Sequence, residues 1–157
     1  MTTDQHVSNH PSTDGNEGDQ PSWLAEPSAL YLLRLALPDG RSALKLGFAR
    51  DPQARLEALL RNVQIVATLL RVVPVASGKR AMQIEKRLLT ELHRRFGHAR
   101  VHSGSDMCMS GGFYAESVAQ HLHACLDAVA VKEAEAAGAR AHSAEPASMR
   151  AVARTTH

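Results

Sequence analysis

Residues 43–56 read ALKLGFARDPQARL, and this stretch decides the fold. Its first half, Ala43 to Phe48, alternates as a half-buried β-strand does, and its second half restarts as a helix. Asp51 is placed to cap that helix, because its carboxylate can accept from a free N–H of the first turn. Pro52 suits the first helical position, where a missing N–H is not needed. The helix then runs to about Arg61 with Leu56, Leu59 and Leu60 on one face. Two cations, Lys45 and Arg55, flank the joint, with Gly47 between them leaving room for close approach.

Working outward, residues 29–37 (ALYLLRLAL) read as a strand, and Pro38-Asp39-Gly40-Arg41 supplies turn chemistry for a hairpin with residues 43–48. Residues 63–75 (VQIVATLLRVVPV) are apolar on both faces and rich in β-branched residues, which predicts a buried central strand. Helical periodicity follows from about Lys79 to Phe96, then a loop over 97–112, then a helix from about Ala115 to Lys132. The order β-β-α-β-α-α predicts a small single α/β domain over residues 28–132, with a central three-stranded antiparallel sheet flanked by helices. Residues 1–27 are polar and acidic and read as a disordered tail, except that Trp23 and Leu24 are suited to dock on the domain. Residues 133–157, Ala-rich and unpatterned, read as a second disordered tail.

The 157 residues leave room for one domain and little more. Aromatics make up only 4%, so Leu, Val and Ala must build the core. No apolar run approaches the ~18 residues of a membrane span, and no secretory leader is evident. Two cysteines, Cys108 and Cys125, are too few for a disulfide framework, so a cytoplasmic setting is expected. The net charge of +2 conceals an asymmetry, with −5 over residues 1–27 and +6 over residues 28–128. A basic domain attracts polyanions such as nucleic acid, and an acidic tail can screen it; both can equally be solvated surface.

Individual side chains suggest chemistry, each beside a plainer alternative. Glu85 falls within the apolar stripe of Ala81, Leu88, Leu89, Leu92 and Phe96, so it faces the protein and needs a cation or metal, or makes a rim salt bridge. Arg55 flanks the apolar face of its helix, where it can hold a phosphate bidentately or snorkel over the core. Tyr31 shares a strand face with Leu33, Leu35 and Leu37, which suits a packed ring with its hydroxyl at a cleft or a core tyrosine. Lys45 points away from Leu44, Leu46 and Phe48, as a phosphate contact or a solvated lysine. His102, Cys108, His121, His123 and Cys125 are zinc-ligand types, but their spacing matches no paired arrangement.

Taken in order, Ala29-Leu30-Tyr31, Lys45-Leu46-Gly47, Asp51-Pro52-Gln53-Ala54-Arg55-Leu56, and Glu85 followed by His93 and Phe96 resemble the GIY-YIG nuclease superfamily. The likeness spans about residues 29–117 and is nearest the phage- and plasmid-borne branch whose second signature reads Lys-Ile-Gly. Ser110–Glu116 is loosely similar to a late Gly-Phe-Thr-Glu stretch of some phage members. The first signature lacks its glycine and the second has Lys45 in place of tyrosine. The resemblance implies a DNA endonuclease of a mobile element that uses one Mg²⁺ or Mn²⁺ ion held by Glu85. It implies catalytic roles for Tyr31, Lys45, Arg55, Glu85 and His93, and DNA contacts by Lys45, Arg50, Arg55, Arg94 and Arg95. Arg55 would bind the phosphate, and Tyr31 would position the attacking water or help deprotonate it. The alternative is an inactive DNA-binding module of the same fold, serving regulation or plasmid and phage upkeep.

Overall fold

The computed structural model of the chain describes residues 20–61, 65–101 and 113–143. In chain order the elements are β1 (Ser28–Ala36), β2 (Ser42–Ala49), α1 (Pro52–Leu60), β3 (Val66–Val75), α2 (Gly78–Phe96), β4 (Arg100–Val101), β5 (Phe113–Ala115) and α3 (Ala119–Ser143). The α/β class is as expected, but the sheet is larger than the three strands anticipated. It has five strands in the order β3-β1-β2-β5-β4, and every pairing is antiparallel.

The hairpin forms where the turn residues placed it. The Leu37 N–H donates to the Arg41 carbonyl and the Gly40 N–H to the Leu37 carbonyl, at 2.7 and 3.0 Å. Gly40 has φ +84°, a backbone region that side chains with a Cβ avoid. Asp51 caps α1 by accepting from the Ala54 N–H at 3.0 Å, and Ser77 caps α2 by accepting from the Arg80 N–H at 3.2 Å.

Three expectations need correction. Residues 63–75 do not supply the central strand: β3 lies at the sheet edge beside β1, and β2 takes the centre between β1 and β5. Val66 and Val72 are 71% and 42% exposed. Pro74 explains the placement, since a proline cannot donate to a second neighbouring strand. Within the expected loop 97–112, β4 occupies Arg100–Val101; beyond it Phe113–Ala115 pairs with Ala43–Lys45 of β2. That pairing also explains why α3 starts at Ala119 rather than Ala115. Finally, α3 extends to Ser143, beyond Lys132. Alanine is the best helix former but marks no apolar stripe, so an Ala-rich helix shows little periodicity. Residues 1–19 and 144–157 of the expected tails lie outside the described residues.

Strand alternation separates two apolar layers. Leu30, Leu32, Leu44 and Leu46 meet Ala81, Ile84, Leu88 and Leu92 of α2 and Leu122, Leu126 and Val129 of α3. Tyr31, Leu33 and Leu35 instead pack with Leu56 of α1 and Phe113 of β5. The sheet therefore carries α2 and α3 on one face and α1 on the other. A 3₁₀ turn at Ser22–Leu24 precedes β1, and Trp23 packs against Phe48 with ring centroids 6.0 Å apart. Gly78 starts α2 beneath Trp23, where a Cβ would collide with the Trp23 backbone and ring. Among the described residues, no helix is long and apolar enough to cross a membrane.

Candidate functional site

The β2–α1 joint opens into a cavity of about 250 Å³ lined by Tyr31, Lys45, Gly47, Phe48, Arg55, Leu59 and Glu85. Each element delivers its residue for a local reason. β5 pairs with β2 only over Ala43–Lys45, so beyond Lys45 the outer edge of β2 carries no strand among the described residues. Phe48 and Glu85 come from the α2 side of the sheet, while Tyr31, Arg55 and Leu59 come from the α1 side. The site thus sits at the sheet edge, where both faces contribute.

Gly47 lies directly opposite Tyr31 across the β1–β2 pair. A Cβ on Gly47 would stand 2.5 Å from Cζ and from the hydroxyl oxygen of Tyr31. The glycine is needed for the space that Tyr31's ring fills, not for an unusual backbone conformation, because its φ is not positive. Gly47→Ala is expected to cost about 1–3 kcal/mol by overpacking, and much less in a Tyr31→Ala background. A urea-unfolding double-mutant cycle measures this; equal costs in both backgrounds would show that the ring is not the obstacle.

Lys45 is only 5% exposed, so it is not the solvated lysine that strand alternation also allowed. It pairs with Phe113 across β2 and β5, and its Nζ stands 5.4 Å from the Phe113 ring centroid. A cation over an aromatic face recovers part of the hydration lost on burial. Burial lowers the Lys45 amine from its ordinary 10.5; Glu85 opposes that shift and Arg55 adds to it. Glu85 is raised from 4.5 by burial, with Lys45 pulling the other way. Its expected need for a cationic neighbour is met by Lys45.

Tyr31 is raised above 10.0 chiefly by burial, opposed by the charge and hydrogen bond of Arg55, while Glu85 raises it further. The Arg55 guanidinium is thus within hydrogen-bonding reach of the Tyr31 hydroxyl. At neutral pH Tyr31 is a phenol. It can orient a water or an oxyanion, but as a base it would need the phenolate that burial disfavours.

The raised Glu85 carboxyl has a consequence for stability. The folded chain keeps that proton to higher pH than the unfolded chain, so the unfolded state binds fewer protons above about pH 4.5, the ordinary value. Glu85's contribution to stability therefore falls as pH rises from there through its folded pKa. Glu85→Gln cannot ionise, so its Tm minus that of the wild type should grow between about pH 4 and pH 7. Thermal melts across that range check the sign; a shrinking difference would contradict it.

The remaining candidates lie elsewhere. His93 is eight residues beyond Glu85 on α2, so about 12 Å further along the helix, and it is exposed. Arg94 pairs with Glu91 at 3.1 Å, and Arg95 lies over the Phe96 ring at 5.4 Å. Arg50 is exposed beyond β2 and pairs with Glu26 at 2.8 Å. None of these four lines the cavity. Of the zinc-ligand types, His102 and Cys108 lie outside the described residues, while His121 and Cys125 meet on α3 at 3.5 Å. Among the described residues, no group of three His, Cys, Asp or Glu side chains stands together.

Phe48, Leu59 and Phe113 were not among the expected site residues. Phe48 and Leu59 read as core positions of an amphipathic strand and helix, which they also are. Phe113 lies in a three-residue strand, too short to display alternation. Its sequence signals are the strand preference of the Phe113-Tyr114 pair and the loose likeness of Ser110–Glu116 to a late Gly-Phe-Thr-Glu stretch. Compared with protein-family models, with curated proteins and with solved structures, the chain matches none.

Proposed function

We propose that the chain is a metal-dependent DNA endonuclease that hydrolyses phosphodiester bonds at the Tyr31–Lys45–Arg55–Glu85 cavity. One observation carries this reading. Four residues from β1, β2, α1 and α2, singled out by their order in the sequence, line the same cavity. The resemblance to the GIY-YIG nucleases requires such a meeting, and it is incompatible with these side chains on separate surfaces.

With both cations protonated and Glu85 ionised, these side chains carry a net positive charge, which suits a phosphate entering at the sheet edge. Arg55 presents paired N–H donors that match two phosphate oxygens, and its charge offsets the negative charge that grows as the bond breaks. Lys45 adds a second positive charge from a stem fixed against Phe113. Tyr31, held between Gly47 and Arg55, orients the attacking water by hydrogen bonding.

The donor set fits a single hard cation. Glu85 offers one carboxylate, and Mg²⁺ or Mn²⁺ commonly uses one or two carboxylates and fills its other positions with water and phosphate oxygens. Such an ion would supply charge stabilisation at the scissile phosphate and the leaving oxygen. Phage, plasmid or other mobile-element origin is part of the same proposal and rests on the resemblance alone.

A second reading has its own observation. Lys45 stands where the second tyrosine would be and is charge-coupled to Glu85. A carboxylate engaged by a lysine is less free for a metal, which favours a DNA-binding module without turnover. Incubating supercoiled plasmid with the purified protein, with and without Mg²⁺ or Mn²⁺, separates the two. Nicking that needs the metal supports the enzyme; salt-sensitive retardation of intact plasmid supports the binding module. Neither outcome at any salt would remove both readings.

A further inference from the structure

Trp23 is the sole tryptophan of the chain, and the cavity chemistry makes no use of it. The residue is 43% exposed, although so large an apolar side chain is usually well buried. Looseness does not explain the exposure, because the turn that carries the ring is tied at several points. The Leu24 N–H donates to the Pro21 carbonyl at 3.0 Å, and the Ala25 N–H to the Ser22 carbonyl at 3.1 Å. The Gly78 N–H donates to the Glu26 carbonyl at 2.9 Å, and the Glu26 carboxylate pairs with Arg50 at 2.8 Å. The ring itself lies over Gly78 and against Phe48. The indole is thus fixed in place and still open to solvent.

Helix geometry sets where this ring stands. Gly78 precedes Glu85 by seven residues, so it lies about 10.5 Å back along α2 and within roughly 20° around the axis. Trp23 covers Gly78, and Phe48, which packs on Trp23, lines the cavity with Glu85. An aromatic path therefore runs from the cavity to the indole. Met82, 39% exposed, stands one turn beyond Gly78 and within roughly 40° of it around the axis. Apolar surface thus continues beside the ring on α2.

We propose that Trp23 stacks on an unpaired base of the DNA strand whose phosphate enters the cavity, so that the site takes DNA where its bases are unpaired. The inference rests on the DNA reading above and names its substrate class. Every base has a flat π face, and stacking on aromatic side chains is how proteins hold strands whose bases are unpaired. Bases inside a duplex are already stacked on their neighbours and offer no face to an indole. Bases rise about 3.4 Å per step along a strand, so a ring seated over Gly78 serves a nucleotide within about three steps of the phosphate beside Glu85. Arg55 and Lys45 then hold the phosphate while Trp23 holds the base. Negative supercoiling favours unpairing, so supercoiled plasmid remains a substrate.

Because no other tryptophan is present, indole fluorescence reports the contact directly. The test titrates the full chain, without divalent metal, with a short single strand, the same strand made abasic throughout, and the blunt duplex of that sequence. The single strand should quench the indole strongly, and the abasic strand, which keeps the phosphates, should quench it little. Anisotropy of the fluorescein-labelled single strand should show Trp23→Leu binding about five- to 150-fold more weakly, with Trp23→Phe, which keeps a ring, within about fivefold of the wild type. On the abasic strand all three proteins should bind alike; an equal loss there for Trp23→Leu would make the ring's role structural and overturn the proposal. The quenching contrast uses the wild type alone and decides the matter even if thermal melts show Trp23→Leu unfolded. Equal quenching by the single strand and its abasic copy, or no quenching by a single strand that binds, overturns the stacking contact while leaving the nuclease reading intact. A blunt duplex bound as tightly as the single strand, with equal quenching, overturns the unpaired-base assignment. A wild type that binds none of the three overturns this inference and the function it rests on.

Discussion

Glu85→Ala should reduce metal-dependent nicking of supercoiled plasmid by roughly a thousandfold, while the protein stays folded. Glu85 is half-buried at the cavity rim, and its apolar neighbours Ala81, Ile84 and Leu88 hold α2 on the sheet without it. Loss of the carboxylate therefore falls on the site rather than on the core. It also leaves Lys45 without its nearby negative charge, so a second comparison is needed. Glu85→Asp keeps the charge on a shorter arm and should raise the Mg²⁺ concentration required for half-maximal rate. Lys45→Met removes the partner and should lower the rate without raising that requirement. If Lys45→Met shifts the metal requirement as strongly as Glu85→Asp, then Glu85 acts mainly as the lysine's counter-ion.

Arg55→Lys is expected to lower the nicking rate about a hundredfold, although charge is conserved. A guanidinium presents a planar fork of donors that can bind a phosphate and reach Tyr31 together; an ammonium offers a point charge on a different stem. Arg55 is exposed and follows the Asp51 cap by one helical turn, so the exchange should leave the Tm nearly unchanged. Rate measurements at saturating plasmid distinguish the outcomes. A fall in apparent affinity alone would make Arg55 a binding residue, and an unaltered rate would exclude it from the chemistry.

Much of this molecule is legible along the chain because its signals are local. The Asp51-Pro52 helix start, the Asp39-Gly40 turn and the apolar stripe of α2 each depend on residues within a few positions of one another. They are set by hydrogen bonds and backbone angles that neighbouring residues alone determine. The face shared by Tyr31, Leu33, Leu35 and Leu37 was readable for the same reason, since alternation is intrinsic to a strand.

What required the tertiary structure is which strand lies beside which. An apolar strand reads alike in the centre or at an edge when helices cover its faces, so residues 63–75 suggested the centre while β3 occupies an edge. Only the pairing of Phe113 with Lys45 shows why a lysine can be buried there: an aromatic ring far along the chain lies against its ammonium group. Only the β1–β2 register shows that Gly47 makes room for Tyr31. By itself the sequence determined the β1–β2 hairpin and its turn, the Asp51-capped α1, a strand within residues 63–75, the helix α2, and the order of Tyr31, Lys45, Arg55 and Glu85. Their meeting at the free edge of β2 was decided by long-range packing, because separations of up to 54 residues are closed by sheet register and helix docking rather than by any local preference.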